Sequence, residues 1–363
     1  MIFETYKTYI QIIMKQITRI LCISLSVLLL TACEKEDNKN EKVENSNALL
    51  LNEGDFTKNN AAISALNIIT GEIDNHWFED ANGYGLGKQA QDMIYYNSKV
   101  YVTVTESNTL EAIDPASGRS TQKSLGTLRP RSIAADGGKL YITCYTPACV
   151  IRVDATSLVV EDTCLIGDYV PEGIAITHGK AFVAGAYKYT DYYDLDNKVH
   201  VIDLSTFDTL PSITVGVNNQ KIVKINDDKL IVCWGNGYDI PAGQTEPNGS
   251  AIIDATSYAV TPVSHGLSKM DVYNGKVYGY NALIDGTLTW VIINADGAIE
   301  ELPFTPTISH NAYGININPA NGDLYLMDAD YQANGDVLCY APDGTLRFKS
   351  ETAKFPSKII FLD

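Results

Sequence analysis

The sequence predicts an all-β fold, on three observations. The first is a strand pair that recurs along the chain. A short apolar strand, a polar turn and a Lys-apolar-aromatic strand occupy residues 133–142 and again 174–183, with further copies at 93–102, 222–232, 270–278 and 315–326. The marker position falls at Lys99, Lys139, Lys180, Lys229, Lys276 and Asp323, in steps of 40, 41, 49, 47 and 47. The second is an apolar strand ending in aspartate before a small polar turn, at Asp114, Asp154, Asp203 and Asp254. The third lies at the ends: the first unit lacks an inner strand, and residues 356–361 (Pro-Ser-Lys-Ile-Ile-Phe) match 130–135 (Pro-Arg-Ser-Ile-Ala-Ala). A period in the forties with several short strands per unit is the pattern of a β-propeller. Seven units predict seven blades, the ring closed by the C-terminal strand pairing with the first blade, which leaves no free edge.

In chain order, residues 1–32 read as a lipoprotein signal peptide rather than part of the fold. Met14-Lys15 begins a basic segment, 20–30 is apolar but too short to span a bilayer, and Leu30-Thr31-Ala32-Cys33 resembles a bacterial lipobox with Cys33 as the lipidated residue. Several acyl chains on one cysteine anchor firmly, since each buried methylene contributes roughly 0.8 kcal/mol. Residues 33–47 are charged and Asn-rich, as a flexible tether is, and Glu34-Lys35-Glu36-Asp37 resembles the acidic signal that exports lipoproteins to the cell surface.

Residues 48–363 form the single propeller domain. Unit one has strands at 48–51, 61–69 and 72–77; units two to seven span 88–125, 130–167, 171–216, 218–264, 267–304 and 311–351. The four strand-end aspartates are expected to accept backbone N–H groups of their turns. Cys144 and Cys149 flank a hairpin and pair only if they face each other; the odd total of five cysteines after Cys33 excludes a fully paired set.

Formal charge is −17, which excludes an electrostatic footprint for nucleic acid. No HExxH, GxSxG, Walker or dinucleotide motif occurs, so no enzyme, cofactor or resident metal is expected. His178 reads as exposed in a turn and His200 as structural; His265 and His310 fall in connections on the face proposed below. Asp191, Asp194 and Asp196 read as a solvated acidic loop, since they lack the glycine and distal glutamate of a calcium loop.

Insertions concentrate on one face of the repeat array, at 187–197 and 235–249, which marks that face for binding. Aligned ends of the second strands place Asn52, Trp234, Asn281 and Asp328 there, with Glu53, Asn108, Tyr145, Tyr187 and Asn236 just beyond. Aligned entries of the inner strands add Gln91, Arg131 and Glu172, in one ring with Gln220, Ser268, Tyr313 and Ser357. Aromatic faces with amide donors suit a large, polar, partly flat ligand such as a corrin or a sugar.

With the ring and lipobox in place, the chain resembles YncE-like seven-bladed propeller surface lipoproteins of Bacteroides-type bacteria, closest to their cobalamin-binding BtuG type. The matching segments are Asn52-Glu53-Gly54, Leu86-Gly87 before Gln91-Asp92-Met93, Pro130-Arg131, Pro171-Glu172-Gly173 and Val199-His200-Val201-Ile202-Asp203. The resemblance implies capture of cobalamin (vitamin B12 or a related corrinoid) outside the cell and delivery to a partner TonB-dependent, BtuB-like outer-membrane transporter. A glycan-binding or adhesion propeller is the alternative, and a propeller enzyme such as a lactonase the next.

Overall fold

The computed structural model describes residues 47–235, 248–283 and 285–362, within one compact unit that spans Lys42–Asp363. The expected signal peptide, Cys33, the tether and Asn236 lie outside the described residues. Among the described residues seven antiparallel sheets form, with one short helix. Blade 2 runs outward as Ala90–Tyr96, Lys99–Val104, Thr109–Ile113 and Ser120–Ser124, and blades 3, 5, 6 and 7 repeat this four-strand order. Blade 1 takes its inner strand from the C-terminus: Pro356–Phe361 pairs with Ala48–Asn52, as expected. Each inner strand touches the next, and Pro356–Phe361 touches both Asn311–Ile317 and Ala90–Tyr96, so the ring is closed.

Seven apolar layers hold the ring, one between each pair of neighbouring blades. Side chains alternate across a strand, and the second strand of blade 1 uses both faces. Leu49 and Leu51 pack with Met93 and Val102 of blade 2, while Ala48 and Leu50 pack with Tyr325 and Met327 of blade 7. All five residues of Ala48–Asn52 are buried, which is why these central strands read as continuous apolar runs.

Two local expectations are corrected. Residues 72–77 hold only a two-residue strand, Ile73–Asp74, because Asp74 Oδ1 accepts the His76 N–H (2.9 Å) and turns the chain. Helix α1 (Trp77–Asn82) follows, with Glu79 and Asp80 in its first turn and Gly83 closing it in the left-handed region; acidic residues there complement the helix dipole. The insertion at 187–197 is not an open loop. Strand Lys180–Lys188 continues into it and pairs with an extra strand, Asp191–Leu195.

The strand-end aspartates hold their turns as expected. Asp154 Oδ1 accepts the N–H groups of Thr156 and Ser157, and Asp203 and Asp254 do the same in their turns. Those bonds, with Lys139 beside Asp154 and Lys229 beside Asp254, hold both carboxyls well below the usual carboxylate range. Cys144 and Cys149 face each other across the hairpin, both as buried free thiols. The Cys149 contact and burial push the Cys144 thiol well above its ordinary value.

Candidate functional site

Six inner strands carry a β-bulge near their entry. Register against the second strand slips by one residue at Gln91, Glu172, Gln220, Tyr313 and Ser357, and within Pro130–Ile133 of blade 3, where Arg131 lies. Blade 6 alone keeps an unbroken register at Lys269–Tyr273. A bulge re-aims the extra residue away from the pleat. Six of the seven positions aligned from sequence are therefore bulge residues at one end of the axis.

Two clusters meet there. In the first, Arg131 Nε and Nη2 donate to Glu172 Oε2 (3.1 and 2.6 Å), and the Tyr145 hydroxyl donates to Glu172 Oε1. The Arg131 guanidinium also lies 4.8 Å from the Tyr145 ring centroid. Burial opposes the Arg131 charge, but Glu172, Tyr145 and Glu53 together more than offset it and raise the guanidinium above its ordinary value. Burial pushes the Tyr145 hydroxyl well above its ordinary value. In the second cluster, Gln91 Nε2 (2.7 Å) and the Tyr313 hydroxyl (2.9 Å) both donate to Glu53 Oε2. Burial raises the Glu53 carboxyl, and Lys269, Tyr313 and Arg131 offset part of that rise. Arg131 thus acts on the carboxylates of both clusters.

An aromatic wall flanks each cluster. Tyr187 meets Tyr145 edge-on at 6.4 Å and Tyr192 at 5.2 Å, and Tyr189 closes the group against Tyr145 and Tyr192. Arg129 bonds the Tyr189 hydroxyl and Glu106. Tyr192 stays 50% exposed at the edge of the extra hairpin. Across the axis, Tyr313, Tyr331 and Phe355 form the second wall, with ring centroids 5.4–6.5 Å apart.

Of the residues chosen from sequence, Glu53, Gln91, Arg131, Tyr145, Glu172 and Tyr187 come together here. Asn52 and Asp328 do not, and are corrected to scaffold. Asn52 is fully buried and bonds Ser64 and Thr352. Asp328 is fully buried and accepts the N–H groups of Ser309, His310 and Asn311. Asn108 accepts the Arg129 N–H, and Asn281 accepts Asn248 Nδ2, so both hold connections. Trp234 lies against the backbone of Gly216 and Gly249, where a Cβ would come within 2.1 and 2.4 Å of its ring. Of the second wall only Tyr313 was placed from sequence; Tyr331, Phe355 and Arg129 were not singled out, and Tyr189 was marked only as part of the tyrosine-rich insertion.

The histidines and acidic groups resolve as structural. His178 is exposed in its turn and pairs with Asp228. His200 Nε2 pairs with Asp196 Oδ2 at 2.7 Å, which corrects Asp196 from a solvated loop residue to a buried partner. His310, Asp328 and Asp336 bring one ligand atom each within 4.8 Å of one another. Asp328 is already committed to three N–H groups and Asp336 pairs with Lys349 at 2.9 Å, so no built cation site results. On the opposite face a shallow cavity of about 290 Å³ is lined by Asp136, His178, Lys224 and Asp227, exposed groups with no organised constellation.

The fold and this rim define a class, the seven-bladed β-propeller with a polar axial site between aromatic walls. Neither a protein-family model nor a curated protein matches the sequence. Solved structures match by fold. A quinoprotein alcohol dehydrogenase-like protein from Bacteroides thetaiotaomicron superposes with TM-score 0.63 at 14% identity, over 87% of this chain and 78% of its own. Proteins provisionally assigned as 6-phosphogluconolactonases from Bacteroides fragilis (TM-score 0.61, 11% identity, 89% and 99% covered) and Bacteroides uniformis (0.58, 12%, 87% and 100%) are similar. At these identities the likeness is one of architecture.

Proposed function

We propose that this chain is a non-enzymatic surface binding protein that captures a cobalamin-type corrinoid and passes it to a TonB-dependent outer-membrane transporter, anchored at the outer membrane through Cys33. The observation that carries the reading is the pair of aromatic walls flanking a rim in which Arg131 pairs with Glu172 and Glu53 accepts Gln91 and Tyr313. Such a site offers flat apolar faces and amide or hydroxyl donors without a strong net charge, which suits a large flat ligand with amide side arms. Calorimetric titration with cyanocobalamin tests it. Binding is expected, and Tyr187→Ala is expected to weaken it by about 2 kcal/mol or more, as loss of a central aromatic does. Absence of binding at micromolar ligand overturns the reading. Replacing Cys33 by Ala is expected to release the protein from membranes in fractionated cells.

A second reading, a lactone hydrolase, is favoured by the two provisionally assigned lactonases of the same fold and by Glu53. A half-buried carboxyl held above its ordinary value is what a general base requires. Hydrolysis of 6-phosphogluconolactone above the buffer rate, abolished by Glu53→Gln, would select this reading over the first.

A further inference from the structure

One residue past its entry position, bulged in every blade but the sixth, each inner strand presents one residue to the blade that follows. In order around the ring these are Asp92, Ser132, Gly173, Lys221, Lys269, Gly314 and Lys358. Asp92 Oδ2 accepts the Ile133 N–H (3.0 Å), and Ser132 Oγ donates to the Glu172 carbonyl (2.5 Å). Lys221 Nζ donates to the Met270 carbonyl (3.0 Å), and Lys358 Nζ donates to Asp92 Oδ1 (2.6 Å). Lys269 Nζ stands over the Tyr313 ring at 5.4 Å. At the two glycines, backbone approaches instead: a Cβ would come within 2.9 Å of Ile222 N at Gly173 and 2.2 Å of the Ser357 oxygen at Gly314.

This tier ties neighbouring blades together, but tying blades does not call for ammonium groups. Ser132 and Asp92 make the same kind of link with a hydroxyl and a carboxylate. The tier nevertheless holds three lysines and one carboxylate, and Lys358 takes that carboxylate. Lys221 and Lys269, on adjacent blades, have no carboxylate within 4.0 Å among the described residues. An ammonium has three donors; Lys221 uses one on Met270, and Lys269 faces a ring. Burial, Lys358 and Lys269 all push the Lys221 ammonium below its ordinary value, against the weaker pull of Asp271 and Asp92. Asp271, two residues on from Lys269 along the same strand, is committed to the Asn316 side chain and the Ile317 N–H. Lys269 acts on the Glu53 carboxyl without an ion-pair contact, so in a chain of net charge −17 both cations inside the ring keep donors open to an anion.

We infer that the tier below the rim holds an oxyanion site, in which Lys221 and Lys269 bind a phosphate or carboxylate group approaching from the side of Glu53 and Arg131. Charge-assisted bonds from two ammoniums in a part-desolvated site are the usual way such a group is held. The oxyanion comes either as a free ion or as one group of a larger molecule seated on the rim. The site does not depend on the corrinoid reading, because its ligand chemistry is carried by a different tier of residues.

The test is titration of the full-length chain with inorganic phosphate, and separately with glucose 6-phosphate as a phosphate monoester, followed by calorimetry and by the shift in melting temperature. Lys269→Met and Lys269→Gln remove one cation and leave the strand's backbone pairing in place; Lys221→Met is the companion, and Lys139→Met, at the far end of a second strand, is the control. Expected is saturable binding weakened at least about tenfold, or 1.4 kcal/mol, in whichever Lys269 and Lys221 variants keep the native near-ultraviolet dichroism, with no change in the control. Binding of both probes points to a free ion, and binding of the monoester alone to an oxyanion borne by a larger ligand; either supports the site if the lysine variants lose it. Equal affinity in wild type and folded Lys269 variants overturns the inference. So does the absence of saturable binding of either probe up to about 10 mM, roughly tenfold beyond a millimolar dissociation constant.

Discussion

At the scale of the residue, the rim is governed by three buried or half-buried charges. Glu172 is the most constrained, with one carboxylate oxygen on Arg131 and the other on Tyr145. The side chains of Arg131 and Glu172 keep only 18% and 9% exposure. Arg131→Met would leave the carboxylate buried beside a neutral side chain, and breaking such a pair on one side costs about 3–5 kcal/mol. A matching fall in urea-unfolding free energy is expected, with Arg131→Met plus Glu172→Leu recovering part of it. Glu53 behaves in the opposite sense. Its carboxyl is raised, chiefly by burial, so the folded chain binds more protons than the unfolded chain between the ordinary glutamate range and the raised value. The stability that Glu53 contributes is therefore full at acidic pH and is lost as pH rises through that window. Melting temperatures from about pH 4 to about pH 8 are expected to show this decline in wild type, and a flatter profile in Glu53→Gln. An identical profile in both would remove Glu53 as the cause.

At the scale of the element, the β-bulge turns a repeat into a site. A strand in regular register points successive side chains to the two neighbouring blades; the extra residue breaks that alternation and turns its side chain toward the axis. The slip brings backbone close, which is why Gly314 has no side chain to spare. A Cβ there would lie 2.2 Å from the Ser357 carbonyl oxygen and force the inner strands of blades 7 and 1 apart. Gly314→Ala is expected to cost about 1–3 kcal/mol, read as a lower urea midpoint. The ring of inner-strand entries was legible in the sequence because Gln91, Arg131, Glu172 and Tyr313 hold the same offset from a recognisable strand. The slip itself was not, since a one-residue bulge leaves no mark on an apolar pattern. The same blindness misplaced Asn52 and Asp328. At the end of a second strand, side-chain direction depends on pleat and twist, and Asn52 and the penultimate residue Asp328 turn inward to bond Ser64 or the 309–311 backbone. Arg129 and Phe355 occupy one repeated position, the left-handed residue just before an inner strand, as do Gln89 and Asn218, but the four side chains share no chemistry that marks it; Tyr189 stands in the turn of an insertion that other units lack.

At the scale of the whole molecule, stability is circular: every blade is covered on both faces only because its neighbours are in place. Seven inter-blade layers carry the apolar burial, and the layer between blades 7 and 1 uses Ile359 while that between blades 1 and 2 uses Ile360. The strand Pro356–Phe361 therefore supplies two layers at once, besides the pairing edge of Ala48–Asn52. Ending the chain after Phe355 would strip both layers and bare an edge strand of Ala, Leu and Asn residues that are all buried in the closed ring. Bared apolar edges pair with other chains, so the truncated protein is expected to lose its single cooperative thermal transition and to elute as oligomers in size-exclusion chromatography. A synthetic peptide of residues 356–363 is expected to restore the monomer by adding back as a strand, since main-chain pairing and alternate side-chain pockets are both waiting for it. The Lys358→Ala peptide should restore it less well, because Lys358 also closes the tier onto Asp92 at 2.6 Å. A truncated chain that stays monomeric with an unchanged midpoint would mean that the ring does not depend on its final strand, and that the blades carry their stability singly.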